Sequence, residues 1–104
     1  MNKRELQIYE FDLFRLDAND RILLRGGDAV HLTDKVFNIL LLLVERSGHL
    51  VTKEELMEQV WPNSIVEENN LAVSMSALRK ALGERQEGGQ YIETISKRGY
   101  RFVA

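Results

Sequence analysis

The chain has 104 residues, which fits one domain built around one hydrophobic core. It contains no cysteine, and this excludes a disulfide framework, a thiolate metal site and a thiol nucleophile. The net charge of −2 is unevenly distributed, because residues 1–68 carry a balance of −5 and residues 69–104 a balance of +3. A positive end on a negative body orients a protein towards a polyanion, although charge alone does not decide the partner.

Residues 7–32 are predicted to form a small antiparallel sheet of three to four strands. Apolar and polar residues alternate over residues 7–17, and short apolar runs follow at residues 21–25 and 29–32. The segments ANDR and GGD that separate these runs are typical of tight turns. A sheet of this size needs another element to cover one of its faces.

Two helices are predicted next. Thr33 is placed to cap a helix in which apolar residues recur at helical spacing. Thr52 and Glu55 form a capping box, in which the threonine caps the helix and the glutamate three residues later answers it. This box starts a short helix that ends near Val60, because Pro62 cannot continue it.

A long helix and a hairpin complete the predicted order of elements. Ser64 and Glu67 predict a further capping box before a helix that runs to Leu82, so that three helices occupy residues 34–83. Strand-forming residues over 91–103 flank a turn at 96–99. A short helix followed by a longer one is the outline of a helix-turn-helix, and a hairpin after it is the outline of a wing. The predicted fold class is therefore α+β, a winged helix-turn-helix with an N-terminal antiparallel sheet.

The long helix has two unlike faces. Leu71, Met75, Leu78 and Leu82 form a core stripe. The opposite face carries small and polar side chains, which let a helix approach the floor of the major groove, where asparagine pairs with adenine and alanine or valine touches the thymine methyl. The alternative is a small-residue face that packs on another protein or on the chain's own sheet. The candidate base-reading residues are Asn69, Asn70, Val73, Ser74, Ser76 and Ala77.

Cations surround this small polar face. Such a frame would contact phosphates and set the register of the protein on a duplex. Arg79 could instead pair with Glu68 or Glu93, and Arg101 could be a solvated strand residue. The cations of the frame are Lys53, Arg79, Lys80, Lys97, Arg98 and Arg101.

Three segments resemble the winged-helix effector domain of OmpR/PhoB-type regulators: VTKEELMEQVW (51–61), VEENNLAVSMSALRKALG (66–83) and YIETISKRGYRF (91–102). The resemblance covers essentially the whole chain, residues 1–104, as a single domain. The stretches WPNSIVEENN and SKRGYRF are most similar to the one-component ToxR/CadC-like branch. The resemblance implies sequence-specific binding of double-stranded DNA for transcriptional regulation in bacteria, with helix 68–82 in the major groove and the wing, 91–103, at the adjacent minor groove.

The resemblance also implies roles for individual residues. Phosphate-contact positions of the family match Lys53, Trp61, Arg79, Thr94 and Tyr100; Trp61 could equally be a core plug between helices. The wing positions at the minor groove are Ser96, Lys97, Arg98 and Arg101. The loop that contacts RNA polymerase in several members matches Pro62, Asn63, Ser64 and Ile65.

This chain departs from the family pattern in its distribution of positive charge. Many members carry arginines in the middle of the recognition helix, where this chain has Ser76 and Ala77. A wing position often filled by arginine is Ser96, and the charge has moved to Lys97 and Arg98. Base preference therefore does not carry over, and the affinity of the isolated domain should be modest because fewer cations release fewer counterions.

The ToxR/CadC-like branch places its DNA-binding domain first, so we expect an N-terminal module of a longer regulator. We expect it to be cytoplasmic, to need no cofactor, to make no membrane contact itself and to pair on tandem DNA sites. Segments beyond Ala104 in a full-length protein could anchor it to a membrane.

The sequence also bears on two other functional classes. An enzyme is not expected, because neither His31 nor His49 has a carboxylate at motif spacing and no phosphate-binding glycine loop is present. The alternative function is a winged-helix protein–protein interaction module that does not read DNA. Salt dependence distinguishes the two, since nucleic-acid binding weakens steeply as salt rises.

Overall fold

The structure is a computed structural model that describes residues 7–104, and it confirms the winged helix-turn-helix fold class. The described chain forms two compact units, which divide between His31 and Leu32. No helix in this part of the chain is long and apolar enough to cross a membrane. The elements are, in order, β1 (Ile8–Phe11), β2 (Phe14–Asp17), β3 (Ile22–Arg25), β4 (Asp28–Ala29), α1 (Asp34–Glu45), β5 (Leu50–Thr52), α2 (Lys53–Val60), α3 (Glu68–Leu82), β6 (Ile92–Ile95) and β7 (Gly99–Phe102).

The first unit is the predicted antiparallel sheet, with four strands in the order β1-β2-β3-β4. The alternating stretch 7–17 is two strands, because the chain turns at Asp12, which has a φ of 47°. In the second turn the Asp17 carboxylate accepts hydrogen bonds from the backbone N–H groups of Asn19 and Asp20. The fourth strand is shorter than predicted, since only Asp28 and Ala29 pair with β3.

The second unit begins with α1 and α2, and both predicted threonine caps are confirmed. The answering half of the capping box is not formed, because the Glu55 carboxylate pairs with Arg46. The Thr33 hydroxyl accepts a hydrogen bond from the Val36 N–H at 3.3 Å, and the Thr52 hydroxyl accepts one from the Glu55 N–H at 3.1 Å. Each bond satisfies a backbone donor that has no partner within its helix.

The predicted capping box at Ser64 is wrong. The helix α3 begins at Glu68, its cap residue is Glu67, and no side chain caps it. The Ser64 N–H instead bonds to the Trp61 carbonyl oxygen, which places Ser64 in the loop three residues before the cap. The predicted span of the long helix, 68–82, is confirmed.

The predicted hairpin acquires a third strand. β5 was not predicted, and it pairs with β7 to give a sheet of order β5-β7-β6. β7 is therefore the central strand, and its register places Gly99 opposite both Thr52 and Ile95. Gly99 was predicted to serve the turn, but it lies in β7, where a Cβ atom would stand 2.1 Å from the Val51 carbonyl oxygen. Glycine is required there because the two backbones approach too closely for any side chain.

Helices α1, α2 and α3 pack on one another, and α1 also packs on β7. The core stripe predicted for α3 is confirmed, since all four of its residues are at most 1% exposed. Two polar contacts join α1 to α2: the Lys35 ammonium donates to the Val60 carbonyl oxygen at 3.0 Å, and Arg46 pairs with Glu55. The α3 stripe consists of Leu71, Met75, Leu78 and Leu82.

We predict that Gly99→Ala destabilises the domain by about 3 kcal/mol, because the added methyl group overlaps backbone that cannot move away. Chemical denaturation measures the loss. Ser96→Ala, on the exposed end of the same hairpin, serves as the control and should change stability by less than about 0.5 kcal/mol. Equal stability of the two variants would show that β5 and β7 separate at no cost.

Candidate nucleic-acid interface

The small-residue face of α3 is open to solvent. Five of the six predicted base-reading residues are exposed, and Ser74 is half-buried. Val73, an apolar residue in the middle of this face, is 60% exposed. Within residues 32–104 no element covers this face, so this part of the chain gives no support to the alternative in which the face packs on the chain's own sheet. The exposed five are Asn69, Asn70, Val73, Ser76 and Ala77.

Lys53 joins three parts of the interface. Its backbone N–H donates to the Arg98 carbonyl oxygen at 3.0 Å, which ties the start of α2 to the hairpin. Its ammonium lies 2.6 Å from the carboxylate of Glu68, the first residue of α3. The hydrogen bond that the Lys53 ammonium donates to the Glu68 carboxylate raises the pKa of Lys53 above its ordinary value of 10.5. The ion pair is therefore formed below that value and is lost as pH rises through the pKa of the folded state.

Arg79 holds α3 against the wing. Its guanidinium donates to the Ile92 carbonyl oxygen at 3.0 Å and to the Thr94 hydroxyl at 2.6 Å. It also lies over the Tyr100 ring, 5.6 Å from the ring centroid. The structure thus brings together three predicted phosphate contacts, Arg79, Thr94 and Tyr100, and in the free domain Arg79 bonds to the protein.

The partners considered for Arg79 in the sequence belong to other cations. Glu68 pairs with Lys53, and Glu93 pairs with Arg101, which faces it across β6 and β7. Arg101 is thus a partly solvated strand residue that pairs with Glu93 and lies beyond the wing tip. Tyr100 is only 7% exposed, so most of its ring packs inside the domain.

The wing tip consists of Ser96, Lys97 and Arg98, which are all exposed between β6 and β7. Lys97 has a φ of 65°, in the left-handed region that residues other than glycine and asparagine adopt at a cost. No ion pair engages Lys97 or Arg98 within residues 7–104. The lysine at the apex of the turn is therefore held in a strained backbone conformation.

The loop between α2 and α3 forms one wall of an open groove of about 750 Å³. Trp61 ends α2 and is half-buried at the groove, so it is neither a fully buried core plug nor a free surface residue. Ile65 is fully exposed. Met57 and Lys97 line the groove as well, which places the wing tip beside the loop. The predicted polymerase-contact residues that are exposed are Pro62, Asn63, Ser64 and Ile65.

The predicted cation frame is divided into two groups. Lys53, Arg79 and Arg101 are held by protein groups, whereas Lys80, Lys97 and Arg98 are exposed and make no ion pair within the described residues. Sequence reasoning did not identify Glu68 as the partner of Lys53. The only signal was that Glu68 lies in the first turn of α3, where the helix dipole also favours a carboxylate.

Comparison with known proteins places this geometry in a family. The family model described as "Transcriptional regulatory protein, C terminal" matches residues 27–102, most of the chain. The matched span includes the three helices, the β5-β7-β6 sheet and every predicted site residue.

The chain is also similar to individual transcriptional regulators and to a solved DNA-binding domain. The transcriptional regulator HilA of Salmonella typhimurium is 39% identical over 94 residues, which are 90% of this chain and 17% of HilA. The transcriptional activator CadC of Escherichia coli is 34% identical over 80 residues, 76% of this chain and 16% of CadC. The crystal structure of the DNA-binding domain of CpxR from E. coli superposes with a TM-score of 0.85 at 26% identity, covering 94% of this chain and 97% of that domain. The chain thus spans about a sixth of HilA and of CadC.

We predict that Arg79→Met destabilises the domain by about 1–2 kcal/mol, because methionine keeps the apolar stem and loses both hydrogen bonds from a charged donor. Urea denaturation measures the effect. The matched control is Lys80→Met, at an exposed neighbouring position, which should change stability by less than about 0.5 kcal/mol. A loss no larger for Arg79 than for Lys80 would remove Arg79 as the link between α3 and the wing.

Proposed function

The chain belongs to the OmpR/PhoB-type family of transcriptional regulatory DNA-binding domains, and we propose that it regulates transcription by reading a specific site in double-stranded DNA through α3. The exposed face of α3 carries the proposal, because its side chains are small and mostly uncharged. A helix face that only meets solvent normally carries long charged side chains. Small side chains bring the helix close to base edges, and asparagine amides can pair with adenine. The family consists of regulatory domains, and we assign no catalytic role to this one.

We propose that α3 lies in the major groove and that the wing tip reaches the adjacent minor groove. The Asn69, Asn70, Val73, Ser74, Ser76 and Ala77 side chains would then face base edges. Lys97 and Arg98 would face the sugar–phosphate rim of the minor groove, where the negative potential attracts cations. Ser96 would accompany them at the tip, whereas Arg101 is held by Glu93 and would contribute less.

Backbone contacts would come from the ends of the helices. Lys80 is exposed in the last turn of α3, and Lys53 begins α2 beside the first turn of α3. Two further phosphate contacts would come from half-buried Trp61 and from the cluster of Arg79, Thr94 and Tyr100. Contacts of this kind fix register and orientation and carry no sequence information.

A second surface has a different role in the proposal. We propose that the loop of Pro62, Asn63, Ser64 and Ile65 contacts RNA polymerase, because a fully exposed isoleucine beside an open groove fits a protein contact better than a phosphate contact. Ile65→Ser should then lower transcription in vitro without changing DNA affinity, and lower DNA affinity would place the loop on the duplex instead.

We further propose a cytoplasmic domain that pairs on tandem sites within a longer regulator.

The proposal predicts that selection from a random duplex library recovers one enriched motif. Asn70→Ala, on the exposed face of α3, should alter or broaden that motif while changing affinity for unrelated duplexes by less than about threefold, because its amide contacts bases and carries no charge. Sequencing of the bound duplexes gives the motif, and titration gives the affinities. Recovery of no motif by the wild-type chain would favour the protein–protein interaction module.

The strained lysine at the wing tip yields a prediction in which stability and binding change in opposite directions. Lys97→Gly should raise the free energy of unfolding by about 1 kcal/mol, because glycine adopts a positive φ without steric cost. It should also weaken binding to every duplex and reduce the slope of log K against log salt by about 0.9, the value of one phosphate contact. Denaturation and fluorescence titration measure the two effects.

Arg98→Gly is the matched control, because it removes the same charge at the neighbouring position, whose φ is not positive. It should weaken binding to a similar degree but lower the free energy of unfolding by about 0.5–1 kcal/mol. DNA affinity unchanged by Lys97→Gly would remove the apex of the wing from the DNA interface.

A further inference from the structure

The Lys53–Glu68 ion pair lies where two elements of the proposed DNA surface begin. Lys53 is the first residue of α2 and Glu68 is the first residue of α3, and their charged atoms are 2.6 Å apart. Asn69 and Tyr100 line the same small cleft. A cation that matches a phosphate-contact position of the family is therefore already neutralised by a carboxylate in the free domain.

We propose that Glu68 is an internal competitor of DNA phosphate, which holds the Lys53 ammonium in the free domain and is exchanged for a phosphate oxygen on binding. This inference rests on the proposed function, because it requires a duplex at this surface. It adds an affinity-determining residue that is not itself a DNA contact.

The exchange is physically accessible because the ion pair is solvated. The Lys53 and Glu68 side chains are 31% and 64% exposed, so water screens their attraction and can stabilise each charge during the exchange. The 2.6 Å contact makes the Glu68 carboxylate the ion-pair partner of the Lys53 ammonium in the free state, and the raised pKa of Lys53 agrees with it. When the ammonium leaves, Glu68 remains in the first turn of α3, where the helix dipole favours a negative charge.

The competition would act equally on all sequences. Lys53 would contact the backbone, which is alike in every duplex, so exchange lowers affinity for cognate and unrelated sites by one common factor. Removing the competitor should raise both affinities and leave their ratio and the selected motif unchanged. The modest affinity expected from a charge-poor recognition helix would then be lowered further by the domain itself.

The experiment measures DNA affinity of Glu68→Gln against Glu67→Gln, at low salt, on the selected site and on an unrelated duplex. Both variants remove one negative charge at the start of α3 and keep the shape of the side chain. Glu67 caps α3 through its backbone and forms no ion pair within the described residues. It therefore reports the general effect of charge. Glu68→Gln should raise DNA affinity by about two- to fivefold more than Glu67→Gln does on both duplexes, the range expected for one solvated ion pair.

Both substitutions are then repeated in a Lys53→Met background, which keeps most of the apolar stem of the side chain and removes its charge. The excess of Glu68→Gln over Glu67→Gln should disappear there, because no ammonium remains to be released. Equal gains for the two variants in the wild-type background would overturn the inference, and so would an excess that persists without the Lys53 charge. Failure of the wild-type chain to bind any duplex would instead refute the proposed function, so the two failures are distinguishable.

Discussion

The close approach of β7 to β5 determines how the rest of the interface is arranged. Gly99 lies so near the Val51 carbonyl oxygen that no side chain fits between the strands. β5 ends at Thr52, and the same residue caps α2, so the pairing of β5 with β7 fixes the wing relative to the first residue of the helix-turn-helix. The bond from the Lys53 N–H to the Arg98 carbonyl oxygen continues this connection towards the wing tip. A backbone constraint, and not a set of surface charges, thus places the tip beside α2.

The charged side chains attached to this backbone have two kinds of role. Arg79, Arg101 and Lys53 bond to groups of the protein and hold α3, β6 and β7 and the helix starts in place. Lys80, Lys97 and Arg98 project from the surface, and the turn tolerates a positive φ to keep a lysine at its apex. Strained residues persist when the surrounding structure holds them, and we propose that the benefit at the wing tip is a cation aimed at a polyanion.

Local signals predicted the helices well, because a cap and a stripe depend on residues three or four positions apart. Thr33, Thr52 and the α3 stripe are of this kind. The failures were of two kinds. β5 has three residues and is stabilised by a strand almost fifty positions later, and the role of Gly99 depends on that same pairing. Ser64 matched a local motif that lies three residues too early, because the loop after α2 extends to Glu67.

The candidate site divides in the same way. Periodicity along α3 predicted which face would be exposed, and the cluster at the hairpin predicted the tip cations. The partners of Lys53 and Arg79 could not be assigned from sequence, because the acids and acceptors nearest in sequence are not those nearest in space.

We propose that a charge-poor helix reads bases while a small set of cations supplies the attraction to the DNA backbone. The salt dependence of binding to the selected duplex tests it most directly. Contacts from Lys53, Arg79, Lys80, Lys97 and Arg98 predict a slope of log K against log salt of about −4 to −5. A slope near zero would contradict binding to a polyanion, and a slope of about −8 or steeper would contradict an interface with so few phosphate contacts.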